Sequence, residues 1–417
     1  MKVLIKQATI CCSHSPHHGQ VKDIFIFDGE IQKIEDQLND KADKTVVYDN
    51  LYVSIGWMDV FANFGEPGNE HKETLISGAA ASAAGGFTDV MIMPNTNPVI
   101  SSKSQVEYIL HKTALLPVNI YPIATITKDA EGKELSEMYD MHASGAIAFS
   151  DGKRSVQSPG ILLKALQYVT AVSATIIQLP EDQSIGHHGL MNEGIMSTRI
   201  GLPGKPAIAE ELMVARDIEL LKYTNSKLHI TGISTKKSLE LILRAKKEGL
   251  QITCSATPYH CFFNDEDLAE YDTNLKVNPP LRSKKDMLAI QMAVQDGSID
   301  CIASHHIPEH WDDKTCEFEY AKCGMIGLES LFGVMNIAKT PDVLIEQLTS
   351  NPRRIFGLPV PEIKVGSSAC LTIFNPGETY TFDETMIRSK SKNSAFIGKQ
   401  LKGKIIGIVN KDFLILN

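Results

Sequence analysis

A chain of 417 residues is long enough for one large domain and a smaller one. Its apolar content of 43% and charged content of 22% are those of an ordinary globular protein. The net charge of −9 argues against binding to nucleic acid or to an anionic membrane surface. The sequence shows neither a signal-like N-terminal segment nor an apolar run long enough to span a bilayer, so we expect a soluble, cytoplasmic protein.

The eight cysteines are scattered, and none of them forms a CxxC pair. In a chain of this size, such a distribution predicts reduced thiols, several of them in core strands. Disulfides are not expected.

Strand patterns occur at both ends of the chain. Residues 1–10 alternate between apolar and polar, 23–34 repeat this pattern around the turn Asp28-Gly29, and 45–52 are rich in β-formers. Short strands with glycine turns are predicted at 369–374, 404–409 and 413–416. We therefore predict one small β-domain from the two termini, residues 1–52 plus 360–417, with residues 53–359 inserted as a second domain.

The inserted body alternates strictly between strand and helix patterns. The strands are predicted at 55–60, 87–93, 119–126, 146–150, 174–178, 228–233, 251–256 and 300–303, and helices lie between them, as at 73–84, 207–224 and 235–248. Eight strands alternating with helices indicate an α/β protein with a parallel (β/α)8 TIM barrel.

The residues that follow the strands offer few metal ligands. In a β/α barrel the active site lies at the carboxyl ends of the strands, and a hydrolytic metal site needs several His and Asp side chains there. Phe61 has no donor atom, Gly232 has no side chain, and the amides of Asn63 and Gln178 are weak zinc ligands. Only Asp151, His305 and one of His260 or His306 remain as candidates.

Two interpretations of these remaining residues stay open. Asp151 is either a surviving ligand or, as we favour, a structural side chain that accepts hydrogen bonds from the turn after its strand. His305 and His306 suggest a rebuilt single-metal site with His260 and Asp151. However, neighbouring residues of a regular strand point to opposite faces, which argues against both imidazoles facing one ion.

Long segments of the chain resemble the dihydroorotase family of the amidohydrolase superfamily, most of all the type found in multifunctional pyrimidine-synthesis complexes. These segments are GWMDVFANFGEPGNEHKET, GGFTDVMIMPNTNP, AFSDG (148–152), GLPGKPAIAEELMVARD (201–217), LHITGIST (228–235), TPYH (257–260), YDTNLKVNPPLR (271–282), CIASHHIPEH (301–310) and RSKSKNSAFIGKQLKGK (388–404). The resemblance covers essentially the whole chain. It implies a (β/α)8 barrel of the amidohydrolase type with a small β-sandwich, and a homodimer or larger assembly.

The departures from the family pattern fall on its chemistry. The family's His-x-His-x-Arg motif after the first strand, two metal ligands and a substrate-carboxylate anchor, is replaced by Phe61, Asn63 and Gly65. The resemblance places the other metal-ligand positions at Asp151, Gln178, Gly232 and His305, the last of which replaces the catalytic aspartate. Asn95 and Asn278 keep substrate-contact positions, and Glu309 replaces a substrate-binding histidine.

This combination predicts a pseudoenzyme, a dihydroorotase-like protein that lacks activity, metal and any confident catalytic residue. The resemblance suggests a structural or regulatory partnership with aspartate transcarbamoylase, as inactive chains of this family have. The alternative is a metal-dependent cyclic-amide hydrolase, a dihydroorotase or related enzyme, that uses zinc in a rebuilt site. A third interpretation is a ligand-binding sensor that uses Asn95 and Asn278.

Overall fold

The computed structural model of the chain describes residues 1–336 and 341–417. Its strands are β1 (Lys2–Ile10), β2 (Val21–Phe27), β3 (Glu30–Glu35), β4 (Lys44–Val46), β5 (Tyr52–Ile55), β6 (Trp57–Ala62), β7 (Phe87–Ile92), β8 (Asn119–Ala124), β9 (Ala148–Phe149), β10 (Thr175–Gln178), β11 (Met191–Asn192), β12 (Gly204–Lys205), β13 (Leu228–Ile230), β14 (Ile252–Ala256), β15 (Cys301–Ile302), β16 (Cys370–Thr381), β17 (Gln400–Asn410) and β18 (Phe413–Leu416).

The α-helices lie mostly between the strands of the body. They are α1 (Leu75–Ala84), α2 (Lys103–Thr113), α3 (Met138–Ala143), α4 (Pro159–Val169), α5 (Gln183–Gly186), α6 (Ile195–Ile200), α7 (Ile208–Thr224), α8 (Lys236–Lys247), α9 (Pro258–Phe262), α10 (Lys284–Gln295), α11 (Leu331–Met335), α12 (Pro341–Leu348) and α13 (Ser350–Ile355). No helix in these described ranges is both long enough and apolar enough to cross a membrane.

The body is the predicted (β/α)8 barrel. Eight strands lie in the order β15-β14-β13-β10-β9-β8-β7-β6, and each neighbouring pair is parallel. Two bonds connect the first and last strands: the amide of Asn63 donates to the carbonyl of His306 at 2.8 Å, and the amide of Ser304 donates to the Asp59 carboxylate at 2.6 Å. The carboxyl ends of all eight strands therefore meet at one face.

The first barrel strand is predicted at 55–60, and the start of that prediction is wrong. Ile55 ends β5, which pairs with β16 in the terminal sheet, and the barrel strand begins at Trp57. Gly56 separates the two strands and packs so closely against Thr88 and Cys370 that a Cβ would collide with both. The absence of a side chain thus lets the chain pass from one domain to the other.

The two ends of the chain form a separate eight-stranded sheet, in the order β18-β17-β16-β5-β1-β2-β3 with β4 beside β1. Segments 2–55 and 370–416 contribute its strands. The predicted strand over 45–52 is wrong, because β4 ends at Val46 and β5 begins at Tyr52. The predicted hairpin around Asp28-Gly29 is confirmed.

The barrel encloses an apolar core that reaches the face formed by the carboxyl ends of its strands. Buried inward side chains from successive strands form this core: Met58, Val60, Phe61, Met91, Met93, Ile123, Ala148, Ile177, Cys301 and Ala303. A second, larger cluster lies between the strands and the surrounding helices. All eight cysteines are free thiols, as the sequence predicts.

Candidate functional site

Phe61 extends the barrel core into the position where the resemblance implies the first metal-binding histidine. Its side chain is buried at the end of β6 and packs on His305, with ring centroids 4.8 Å apart. The ring belongs to the same apolar cluster as Met91 and Ile177. Phe61 therefore fills this part of the barrel with hydrocarbon and offers no donor atom.

His305 also fits closely against Gly232 at the barrel mouth. A Cβ on Gly232 would lie 2.5 Å from Cε1 of His305, and the backbone of Gly232 is left-handed, with φ of +65°. His305 is itself left-handed, with φ of 43°. The imidazole thus occupies the space beside Gly232 where a side chain would otherwise project.

A chain of hydrogen bonds runs from His305 down the inside of the barrel. Nε2 of His305 lies 2.8 Å from Thr231 Oγ1, which lies 3.0 Å from Ser255 Oγ. Ser255 Oγ lies 3.1 Å from Nε2 of His229, whose Nδ1 contacts Thr253 Oγ1 at 2.8 Å. Burial lowers the pKa of both His305 and His229 to about 3, so both imidazoles are neutral near pH 7.

His229 corrects one expectation from strand phase. Side chains alternate between the two faces of a strand, and counting along the predicted strand 228–233 places His229 one position out of phase with the residues that face the barrel interior. In the structure it pairs in register with Ile177, an inward residue, and packs edge-on against Phe356 of the interior cluster. The count fails because β13 ends at Ile230 and the following backbone turns at Gly232.

The carboxylate of Asp151 accepts hydrogen bonds from the turn after β8. Its Oδ1 accepts the amides of Ile126 and Thr127 at 2.9 and 3.0 Å, and its Oδ2 accepts the Thr127 hydroxyl at 2.6 Å. Burial raises the pKa of this carboxyl even though the three donors favour its charged form. These contacts support the structural role over that of a surviving metal ligand.

Gln178 likewise points into a polar network and is not free for an ion. Its Nε2 donates to Oδ2 of Asp217 at 3.3 Å, and its Oε1 accepts the Val156 amide at 3.4 Å. Asp217 is also paired with Arg216, whose Nε donates to it at 2.8 Å. The pairing with Arg216 lowers the pKa of Asp217, but burial outweighs it and raises the pKa to about 6.

A small cavity of about 60 Å³ remains at the barrel mouth next to the ends of the first, second, fourth and eighth barrel strands. Asn63, Gly65 and Asn95 line it, together with the side chains of Lys72 and Lys153. Oδ1 of Asn63 accepts the Gly65 amide at 3.0 Å, and Asn95 bonds the backbone of Asp151 and Lys153. The polar residues near the missing carboxylate anchor thus bind the protein's own backbone.

Glu309 is buried between two lysines next to this cavity. Its Oε2 pairs closely with Lys72, and its Oε1 lies 3.5 Å from Lys153 Nζ. Lys72 also contacts Asp313 at 3.2 Å. The carboxylate that replaces the family's substrate-binding histidine is thus paired within the protein.

The side chains of Asn278 and His260 make hydrogen bonds to other protein groups at the barrel mouth. Asn278 donates to Glu181 at 2.7 Å and accepts from Lys205 at 2.8 Å, and these two residues form an ion pair of 2.6 Å. Nδ1 of His260 contacts Thr257 Oγ1 at 2.9 Å, and its Nε2 lies 3.1 Å from the Pro279 carbonyl. Burial lowers the pKa of His260 to about 4.

His306 faces away from His305, although the two residues lie beyond the end of β15 and His305 has a left-handed backbone, so regular strand alternation is not the cause. Its ring packs edge-on against Phe64, and its Nδ1 accepts the Gly327 amide at 3.2 Å. Its Nε2 lies 3.5 Å from a carboxylate oxygen of Glu73, which is held by the hydroxyls of Ser77 and Ser389. The structure therefore does not bring the two neighbouring histidines to one ion.

These residues do not fit the zinc that the family resemblance implies. A catalytic zinc needs three protein ligands, and its preferred donors are imidazole, thiolate and carboxylate. At the six family ligand positions, Nδ1 of His305 is the one such donor atom that is buried without a hydrogen-bond partner. Within residues 1–336 and 341–417, no three His, Cys, Asp or Glu side chains are grouped closely enough to hold a metal ion.

Sequence reasoning missed several residues that shape the site. Thr231 and Ser255 connect the two inner histidines, and Lys72, Lys153 and Glu73 surround the cavity. Lys153 follows Asp151 by two residues, a position beyond a strand end where a site residue is expected. The other members lie in loops or within strands, where a single sequence gives no comparable signal.

Comparisons with known proteins agree in family. Residues 52–238 match the model of the family described as Dihydro-orotase-like. The chain is 37% identical over 414 residues to a dihydroorotase of Syntrophus aciditrophicus, covering 97% of each chain. It is 39% identical over 411 residues to a dihydroorotase of Pelotomaculum thermopropionicum, covering 97% of this chain and 96% of the relative.

Solved structures agree in fold. An L-hydantoinase (dihydropyrimidinase) from Arthrobacter aurescens superposes with a TM-score of 0.86 at 22% identity, covering 100% of this chain and 96% of that one. A dihydropyrimidinase from Brevibacillus agri gives 0.84 at 17% identity, covering 100% and 95%. At these identities the likeness concerns the fold alone.

Proposed function

Because the chain belongs to the dihydroorotase family, we propose that it is a member with a noncatalytic, structural or regulatory role in pyrimidine biosynthesis. In this proposal the barrel and its terminal sheet are kept as a scaffold, and the hydrolytic site is replaced by side chains that bind each other.

One observation carries this proposal: apart from Nδ1 of His305, the family's metal positions are either without side-chain donors or already hydrogen-bonded within the protein. Phe61 and Gly232 contribute no donor, and the carboxylate of Asp151 is bound by three donors of the 126–127 turn. Without a Lewis acid, hydrolysis of a cyclic amide loses both the activated water and the polarised carbonyl.

A second candidate function is a zinc-dependent cyclic-amide hydrolase with a rebuilt site. The names of relatives at 37–39% identity favour this alternative. It requires His305 to gain fellow ligands around its free Nδ1. If His260 is one of them, its imidazole must leave a hydrogen bond that it now makes.

Metal content and activity, measured together, test the proposal. The protein is purified without chelator from zinc-supplemented culture beside the Syntrophus aciditrophicus relative, and both are analysed for zinc and for conversion of dihydroorotate. We expect far less than one zinc per chain and no turnover above background. One tightly bound zinc with chelator-sensitive turnover would establish the alternative.

We further propose aspartate transcarbamoylase as the partner and a homodimer as the smallest assembly. The support is the family's association with multifunctional pyrimidine-synthesis complexes. Light scattering after size-exclusion chromatography, with and without the transcarbamoylase of the same organism, measures both. Failure of the two proteins to co-elute at micromolar concentration would refute the partnership without affecting the dimer.

A further inference from the structure

A second cavity lies between the two domains, away from the barrel mouth. Its volume of about 270 Å³ is close to the lower limit of about 300 Å³ for small-molecule pockets. The barrel domain contributes Ala84 of α1 and Glu329 to its wall, and the terminal domain contributes Tyr380 of β16 and Ile405 of β17. None of its lining residues lines the cavity at the barrel mouth. A ligand bound here would therefore contact both domains.

The carboxylate of Glu329 carries an oxygen without a partner at this cavity. Glu329 is only 7% exposed, and its Oε1 accepts the amides of Arg388 and Ser389 at 3.1 and 2.9 Å. Its Oε2 has no hydrogen-bond partner within residues 1–336 and 341–417. Burial raises the pKa of this carboxyl, because its charged form is deprived of water. A bound donor or cation would satisfy the free oxygen.

Arg388 contributes a charge of the opposite sign. Its backbone amide bonds Glu329, but its guanidinium forms neither an ion pair nor a hydrogen bond with the residues that the structure describes. Lys404 lines the cavity too, and its ammonium group is already paired with Glu378 at 2.8 Å. Among the described residues, the unpaired side-chain charges at this cavity are thus one carboxylate and one guanidinium.

The rest of the wall combines hydrocarbon with one further donor. Phe382 and Ile405 are buried, Met386 is half-buried, and all three line the cavity. Burial raises the pKa of Tyr380 to about 12, so its hydroxyl remains a hydrogen-bond donor at neutral pH. A phenol and a guanidinium both suit a carboxylate ligand, and the apolar wall suits a hydrocarbon side chain.

We propose that this interdomain cavity binds a free α-amino acid with an apolar side chain. The ammonium group of the ligand pairs with Oε2 of Glu329, its carboxylate with Arg388 and Tyr380, and its side chain packs on Phe382. A ligand with only one of the two charges leaves the other protein charge unpaired, so a zwitterion fits better than an amine or a carboxylic acid. This inference depends neither on the proposed function nor on the metal positions.

Calorimetric titration with matched ligands tests the proposal. L-Leucine, L-methionine and L-phenylalanine are titrated into the protein to millimolar concentration. The amine and the acid that correspond to the amino acid that binds are then compared with it, isopentylamine and isocaproate in the case of leucine. We expect one amino acid site per chain and at least about tenfold weaker binding of the amine and the acid, since each loses charge-assisted hydrogen bonds.

Two results with these ligands would overturn the proposal. One is the absence of binding by all three amino acids. The other is an amine or an acid that binds as tightly as its amino acid, because one of the two protein charges would then have no role.

Two variants assign the binding to this cavity. Arg388→Met removes the guanidinium and keeps the amide that bonds Glu329, and Glu329→Gln removes the charge and keeps an oxygen for the two amides. Each is expected to weaken binding by about tenfold or more. Arg199→Gln, at an exposed arginine of α6 outside the cavity, is expected to bind like the wild type. Unchanged affinity in either cavity variant would contradict the assignment.

A folding defect in Glu329→Gln does not leave the question open. Arg388 is exposed and its side chain bonds no residue in the described ranges, so Arg388→Met is expected to melt with the wild type. The test then rests on this variant and on the matched ligands, which are measured on the wild type. Wild-type affinity in Arg388→Met would refute the proposal.

Discussion

The imidazole of His305 takes the space that a side chain on Gly232 would need, with Cε1 2.5 Å from the place of a Cβ. Two of the family's metal positions are therefore coupled: the residue at one has expanded into the gap left at the other. Replacing either one alone by the family's residue type does not rebuild a ligand pair.

Gly232→Ala is expected to reduce the free energy of unfolding by about 2–3 kcal/mol, because the added Cβ meets His305 and the left-handed backbone disfavours alanine. Urea unfolding measures the loss. In the background of His305→Ala the steric part of this loss should disappear, leaving about 1 kcal/mol of backbone strain. Additive effects of the two substitutions would show that the residues are not coupled.

Asp151→Asn is expected to destabilise the fold by about 2–3 kcal/mol, because an amide cannot accept all three hydrogen bonds from residues 126 and 127. Chelator should not change this loss. The exposed Asp129, changed to Asn, serves as control and should stay within about 0.5 kcal/mol of the wild type. A loss seen only in zinc-loaded protein would identify Asp151 as a ligand.

Phe61→Ala is expected to cost about 3–5 kcal/mol, since the ring is fully packed between the barrel core and His305. The exposed Phe27, changed to Ala, should cost about 1 kcal/mol or less. Chemical denaturation compares the two. A small effect at Phe61 would mean that its pocket is open rather than filled.

Acid is expected to destabilise the wild type through His229. Burial lowers its folded pKa to about 3 from 6.5, so between these values the unfolded chain binds the proton more readily. Its contribution is complete above about pH 6.5 and is lost as the pH falls. The variant His229→Gln should therefore lose about 1.4 kcal/mol less stability than the wild type between about pH 7.5 and 5.5.

Urea unfolding at both pH values makes this comparison, in which the other titrating groups cancel. Asp217 works in the opposite direction, because burial raises its folded pKa to about 6 and protonation then favours the folded state. If the stability of the wild type and of His229→Gln changes equally with pH, His229 binds its proton as readily in the folded chain as in the unfolded chain, and the prediction is wrong.

The sequence by itself determined the architecture and the lack of a side-chain donor at two of the family's ligand positions. Alternation of strand and helix patterns needs only local periodicity, so the barrel and the sheet from both termini followed from it. Identity at single positions was equally decisive, because Phe61 and Gly232 carry no donor in any conformation. The break at Gly56 and the inward side of His229 did not follow, since each depends on contacts with distant segments.

Only the tertiary structure decided what the remaining polar side chains do. Asp151, Gln178 and Glu309 have the same donor atoms whether they serve a metal, a substrate or the protein itself. Their partners come from residues 22 to 237 positions away in the sequence, such as Val156, Asp217 and Lys72. Hydrogen bonds and ion pairs act over a few ångströms, so the folded backbone, which brings these groups together, assigns their roles.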